Sequence, residues 1–233
     1  MASGFEGFRH EALDFLVELG LNNDRAWFQP RKAEYEALIR EPLERFCVAL
    51  GEELTARGLP MRADERSPFR IYRDVRFSKD KSPYKTNFAA SFPWTGEGGG
   101  VGGYLHVAPG ESFTGGGMYH PSPARLAAWR SAVVNDRERV HRAIEDPAFS
   151  AAYGTVDADS TLKRAPAGFD PADPDIALLK LKDVTFGQRL TDAEVLAQDL
   201  PRRIASDLAA SLPVMRYLAT LPGLETESPG WLR

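Results

Sequence analysis

Residues 68–87 contain the sequence feature that most restricts the fold, a basic segment in which apolar and polar side chains alternate. The segment carries six cations and two carboxylates: Arg70, Arg73, Arg76, Lys79, Lys81, Lys85, Asp74 and Asp80. Over residues 69–77 the apolar side chains share one parity, as in a half-buried strand, and Arg73 is the exception because it falls on the apolar parity. We therefore predict a strand at 69–77 with a cationic outer face.

The residues that follow predict an antiparallel meander. A polar turn at 78–83 leads into a second alternating stretch at 84–92, which we expect to pair with the first. A glycine-rich loop at 95–103 separates it from a short strand at 104–108, and a fourth strand begins at 112. A further edge strand is predicted within 178–186.

Helical periodicity lies on both sides of these strands. The spacing predicts the following helices: 8–19; a run that starts at the cap Asn22-Asn23-Asp24, breaks near Arg40 and restarts at Pro42; 123–134; 137–144; a short helix opened by the capping box Thr191–Glu194; and two more ending near Leu221. Residues 153–175 are rich in Pro, Gly, Asp and Ala and predict an irregular excursion. We expect a single α+β domain over residues 1–233, an antiparallel sheet meander packed against several helices.

Composition excludes several classes of protein. No apolar run of about 18 residues and no leader-like N-terminus is present, so we expect a cytoplasmic protein without a membrane partner. The single cysteine, Cys47, excludes an internal disulfide, and its apolar neighbours predict a buried thiol. The four histidines lack the spacing of a metal site, and the glycines of 98–103 precede a strand rather than a helix, so neither a metal nor a dinucleotide cofactor is indicated.

The basic segment, together with residues 22–28 and 115–121, resembles a family of conserved hypothetical proteins from bacteria and fungi that is classified as a domain of unknown function. The resemblance runs from about Phe5 to Leu221. It implies no reaction, ligand or catalytic residue, so the roles of the motif residues follow from their chemistry alone.

The basic segment is the candidate ligand site. Arg70, Asp74 and Arg76 share the polar parity, and Lys85 on the paired strand can join them to hold a phosphate or carboxylate. The alternative is a salt-bridge ladder along the sheet. Arg73, on the buried parity, requires either an anionic partner, such as Glu34, Glu36 or Glu44, or a cavity.

Two further groups complete the candidate site. Lys79 and Lys81 lie in a turn that is either an anion site or simply solvated. Gly116 and Gly117 permit close approach of a ligand or, equally, a strand bulge. His120, which follows them, and Asp74 are the candidate acid–base groups.

Three functions remain open at this point. The leading hypothesis is a pocket for a phosphorylated or carboxylated small molecule, in which catalysis would stabilise an anionic transition state. The second is a nucleic-acid or acidic-protein binding module, with Tyr72, Tyr84 and Phe88 as stacking aromatics. The third is a salt-bridged sheet face without a ligand. The sequence leaves open whether the protein is an enzyme and which oligomeric state it has.

Overall fold

The structure, a computed structural model, describes residues 4–223. Its α-helices are α1 (His10–Leu21), α2 (Arg25–Phe28), α3 (Lys32–Tyr35), α4 (Glu41–Ala56), α5 (Pro123–Asn135), α6 (Arg137–Ile144), α7 (Pro147–Tyr153), α8 (Ile176–Leu179), α9 (Asp192–Leu196), α10 (Leu200–Ala210) and α11 (Leu212–Ala219). Its strands are β1 (Phe88–Pro93), β2 (Gly102–Val107), β3 (Phe113–Met118) and β4 (Val184–Arg189). A 3₁₀ turn at Gln29–Arg31 and a π-helical turn at Glu36–Arg40 join the early helices.

The four strands form one antiparallel sheet in the order β1-β2-β3-β4, so each strand pairs with its neighbour along the chain. This confirms the predicted α+β class and the meander. The predicted edge strand begins later than expected, because residues 176–179 form the short helix α8 and β4 starts at Val184. Glycine-rich residues connect β1 to β2, as predicted.

The chain groups into two compact units. Unit 1 comprises Met1–Phe92, Gly103–Thr114 and Gln188–Ser206; unit 2 comprises Pro93–Gly102, Gly115–Gly187 and Asp207–Arg233. The assignment of the whole chain to one domain stays a prediction.

In unit 1, Pro42 determines how the early helices connect. Proline has no N–H for the carbonyl four residues earlier, and its ring clashes with that carbonyl in an α-helix. The wider π-helical turn at Glu36–Arg40 lies directly before it, and α4 then begins with Pro42 in its first turn. The predicted helix start at Pro42 is confirmed. The break predicted near Arg40 is instead a change from a π-helical turn to an α-helix.

The core of unit 1 is largely aromatic. Phe15 packs against Phe28 and Tyr35, and Cys47 is fully buried on α4. The predicted burial of Cys47 is confirmed, and that burial raises the pKa of its thiol.

Unit 2 contains a buried arginine that sequence periodicity did not identify. Arg125 on α5 is 2% exposed, and its guanidinium donates to the carbonyl oxygens of Leu218 (2.7 Å), Leu221 (3.0 Å) and Gly99 (2.5 Å). Leu218 lies in the last turn of α11, whose carbonyls have no partner within the helix. Arg125 therefore caps the C-terminal end of α11, where the helix dipole favours a cation.

The irregular excursion of unit 2 is confirmed for residues 154–175, whereas α7 before it was not predicted. Asp146 caps α7 by accepting from the Ala148 and Phe149 amides, and Pro147 occupies the first helical position. Near its end the excursion supplies Asp175, which accepts from Arg137 (2.5 Å). This ion pair joins the irregular chain to α6.

None of the helices within residues 4–223 is both long and apolar enough to cross a membrane.

Replacing Arg125 by Met removes the guanidinium donor from three carbonyls, of which, within residues 4–223, only that of Leu218 also accepts from a backbone amide, that of Leu221 (3.1 Å). We expect Arg125→Met to lower the free energy of unfolding by about 3 kcal/mol or more, measured by urea denaturation. The control is Arg164→Met, because Arg164 is exposed and its loss should cost less than about 0.5 kcal/mol. Equal, small effects of the two substitutions would contradict the capping role of Arg125.

Candidate functional site

The basic segment does not form the regular strand predicted over 69–77, and that prediction is wrong. Only two isolated antiparallel bridges pair it with the following chain, Pro68 with Ala90 and Tyr72 with Tyr84. Three residues lie between the two bridges on the first side and five on the second, so two extra residues interrupt the ladder as a bulge does. The expected antiparallel pairing is present, but as an irregular hairpin.

The predicted alternation of burial also fails beyond Arg73. Ile71 is buried as expected, whereas Phe77, predicted on the inner face, is 95% exposed. The last backbone bond between the two sides runs from the Arg73 amide to the Pro83 carbonyl (3.0 Å). Residues 74–82 therefore form a loop outside the sheet.

Asn23, which follows α1, anchors the basic segment. Its side-chain amide donates to the Tyr84 carbonyl (3.0 Å) and its Oδ1 accepts from the Tyr84 amide (3.0 Å). The ring of Tyr84 stacks on Phe28 with 4.1 Å between centroids, and Tyr84 is 1% exposed. Asp24 caps α2 by accepting from the Trp27 amide, so of the predicted cap residues Asp24 caps a helix and Asn23 holds the segment.

Arg73 finds its partner within its own loop. Its guanidinium donates to Asp80 (2.5 Å) and to the Ser82 carbonyl (3.2 Å). Asp80 also accepts from the Ser82 amide and hydroxyl, and hydrogen bonds from Ser82 and then Arg73 lower the pKa of Asp80. The anionic partner required for Arg73 is Asp80, and not one of the glutamates considered on the preceding helix.

Arg76 and Asp74 form a second internal pair. Nε of Arg76 lies 3.0 Å from one carboxylate oxygen of Asp74 and Nη2 lies 2.7 Å from the other. Hydrogen bonding from Arg76 lowers the pKa of Asp74 to about 2, so Asp74 is a weak base near neutral pH. Both side chains are exposed, so the pair shapes the loop more than it stabilises the fold.

Arg70 and Lys85 are arranged differently from these pairs. Lys85 is half-buried, with its Nζ 5.3 Å from the centre of the Phe69 ring, and its pKa is lowered by burial and by repulsion from Arg70. Within residues 4–223 no carboxylate lies within ion-pairing distance of either cation. The Lys85 amide donates to the carbonyl of Ile71 (2.8 Å), the residue after Arg70, so the two cationic residues are neighbours across the hairpin.

Lys79 and Lys81 lie in the exposed loop. Nζ of Lys81 donates to the Val75 carbonyl (2.9 Å), and Lys79 is exposed. In the described part of the chain neither lysine has a carboxylate partner within ion-pairing distance. Their ammonium groups add positive potential beside the two internal pairs.

Gly116, Gly117 and His120 belong to unit 2, whereas the basic segment belongs to unit 1. Gly117 has φ +121°, and a Cβ there would meet the backbone of Val184, so close approach of β4 explains this glycine. His120 has φ +47°, and its amide donates to Asp183 (2.6 Å). That these residues act together with the arginines stays a prediction.

A cluster on β2 and β3 was missed from the sequence. Nδ1 of His106 lies 3.4 Å from the Asn87 side-chain nitrogen and 3.3 Å from the Tyr104 hydroxyl, and its ring stacks on Phe113 at 5.0 Å. Burial lowers the pKa of His106, which favours the neutral imidazole. The sequence does contain a signal for this cluster: Tyr104 and His106 are two residues apart in a predicted strand and therefore share one face of β2.

The structure also changes which aromatic residues a ligand can reach. Tyr84 and Phe88, predicted as stacking residues, are both buried, so a ligand cannot contact their ring faces. Tyr72 is 47% exposed and stays accessible. Within residues 4–223 no three His, Cys, Asp or Glu side chains are grouped as a metal site would require.

An α+β protein with an irregular basic hairpin on its surface is the class that these observations define. The chain belongs to the family described as conserved hypothetical protein (DUF2461), which it matches over residues 11–217. No curated protein and no solved structure matches the chain.

Removing the Asn23 side chain leaves the amide and carbonyl of Tyr84 without partners. We expect Asn23→Ala to lower the free energy of unfolding by about 1–3 kcal/mol and to speed hydrogen exchange at the Tyr84 amide. The control is Asn22→Ala, which removes one exposed bond to the Glu18 carbonyl. Unchanged exchange at Tyr84 in Asn23→Ala would show that Asn23 does not hold the segment.

Proposed function

We propose that the protein binds phosphorylated or carboxylated ligands, with Arg70 and Lys85 as the primary contacts. The observation that carries the proposal is the pair itself, two neighbouring cations without a carboxylate partner in the described chain. An anion between them would relieve their repulsion and neutralise both. The fork of a guanidinium matches phosphate and carboxylate oxygens, and the ammonium group adds a compact charge.

The surroundings of Lys85 strengthen this proposal. Partial burial lowers the effective dielectric constant near its ammonium group, so a charge-assisted bond there is stronger than one at a fully exposed lysine. Lys85 directly follows Tyr84, and the backbone amide and carbonyl of Tyr84 are both hydrogen-bonded to the Asn23 side chain. The lysine is therefore attached to a well-anchored part of the chain.

Arg73 and Arg76 have secondary roles in this proposal, because each already pairs with a carboxylate of the loop. Arg73 and Arg76 already bind Asp80 and Asp74, so their guanidinium forks are occupied. Six cations against two carboxylates still leave the basic segment with a formal charge of +4, on a chain of formal net charge −4. The local charge can attract an anion and the Arg70–Lys85 pair can bind it.

The exposure of the segment favours a second candidate, an extended polyanion. Arg70, Lys79 and Lys81 are exposed, whereas binding sites for small molecules are usually concave and enclose most of the ligand. A groove elsewhere in unit 1 is lined by three carboxylates and one cation, and this net negative lining does not suit an anion; the charged residues are Glu52, Glu53, Asp199 and Arg202. Binding that falls steeply with salt would indicate a polyanion.

Inorganic pyrophosphate tests the proposal most simply. We expect it to raise the melting temperature of the protein, and calorimetric titration should show that Arg70→Gln or Lys85→Gln weakens its binding roughly tenfold or more. Each substitution removes one charge-assisted contact. A parallel titration with citrate reports whether carboxylates compete for the same residues.

The matched controls are Arg164→Gln and Lys182→Gln, which remove exposed cations outside the basic segment. These variants should bind pyrophosphate as the unaltered protein does. Equal losses in all four variants would mean nonspecific charge attraction, and no binding of pyrophosphate or citrate would overturn the proposal.

A further inference from the structure

An aromatic face lies next to the Arg70–Lys85 pair in unit 1. We define it as Phe69, Tyr104, His106 and Phe113. The Tyr104 ring centre lies 6.2 Å from that of Phe69, 6.2 Å from that of His106 and 5.7 Å from that of Phe113. These rings are half-buried or, for Phe113, 37% exposed, so part of their surface is open to solvent.

The face combines ring surface with hydrogen-bonding groups. The Asn87 side-chain nitrogen and the Tyr104 hydroxyl lie 3.4 Å and 3.3 Å from Nδ1 of His106, and either can donate to Nδ1 of a neutral imidazole. The lowered pKa of His106 agrees with this neutral form. A neutral imidazole and a phenol can stack on a nucleobase and also form hydrogen bonds with its edge.

The face and the cations are contiguous through Phe69. Nζ of Lys85 lies 5.3 Å from the Phe69 ring centre, and Phe69 in turn adjoins Tyr104. A ligand that spans them needs a negative charge at one end and a flat ring at the other. A nucleotide has that arrangement, because its phosphate and its base are joined through one sugar.

We infer that the aromatic face and the Arg70–Lys85 pair together bind single-stranded nucleic acid, with phosphates at the cations and bases stacked on the rings. This inference depends on the proposed anion site and specifies its ligand. A single strand fits better than a mononucleotide because the cations continue along the exposed loop to Lys79 and Lys81. A duplex fits worse, because its bases already stack on one another.

The test uses fluorescence anisotropy with a labelled DNA single strand of about ten nucleotides, a length within the site size of folds that bind single strands. We expect Tyr104→Leu and Phe113→Leu each to weaken binding roughly fivefold to a hundredfold. Tyr104→Phe and Phe113→Tyr, which keep a ring at each position, should retain most of the affinity. Circular dichroism and melting temperature check that each variant folds.

Competition with unlabelled ligands separates failure of this inference from failure of the proposed function. The same strand as a duplex, thymidine monophosphate and pyrophosphate should each compete at least tenfold more weakly than the single strand. If any of them competes equally, or if the leucine variants bind as the unaltered protein does, the inference is wrong. In that case the proposed anion site would still be supported if pyrophosphate binds and its binding depends on Arg70 and Lys85. If neither the strand nor pyrophosphate binds, both proposals fail.

Discussion

The two hydrogen bonds between Asn23 and the backbone of Tyr84 are the constraint on which the basic segment depends. At the Tyr72–Tyr84 bridge the cross-strand bonds are made by the neighbouring residues, Arg73 with Pro83 and Lys85 with Ile71. The N–H and C=O of Tyr84 therefore point away from the bridge, and their burial would be costly without a partner. One asparagine side chain supplies both the donor and the acceptor. The stack of Tyr84 on Phe28 adds apolar contact at the same point, so a segment without regular sheet pairing still has a defined position.

The charges of the segment divide into two groups with different physical roles. Its two carboxylates are both used within the loop, Asp80 with Arg73 and Asp74 with Arg76, and these pairs set the path of the chain. Arg70 and Lys85 have no such partner in the described residues, and the pKa of Lys85 is lowered first by burial and then by repulsion from Arg70. A salt-bridged sheet face, the alternative without a ligand, explains the first group but not the second. The proposed anion site rests on this second group, because a bound anion would offset the repulsion between the two cations.

Periodicity and local chemistry predicted most of the fold. The meander, the helix restart at Pro42 and the capping box of Thr191 and Glu194 depend on neighbouring residues, and each is present. The prediction of a strand at 69–77 was wrong because alternation indicates which side chains could be buried, but not whether another part of the protein covers them. Phe77 lies on the apolar side of the pattern and is nevertheless exposed. Arg125 was missed although it lies four residues before the buried Trp129, because only apolar side chains are counted when the buried face of a helix is predicted. The partners of Arg73 and Asn23 were also beyond prediction, since they depend on a loop path and on contact between distant segments.

We propose that Arg70 and Lys85 together form the anion contact of this protein. Nuclear magnetic resonance of ¹⁵N-labelled protein titrated with inorganic pyrophosphate tests it most directly, because it reports each residue separately. We expect saturable chemical-shift changes at the Arg70 side-chain Nε–H and at the amides around Arg70 and Lys85. Changes confined to the exposed loop around Lys79 and Lys81, or to residues outside the basic segment, would contradict it.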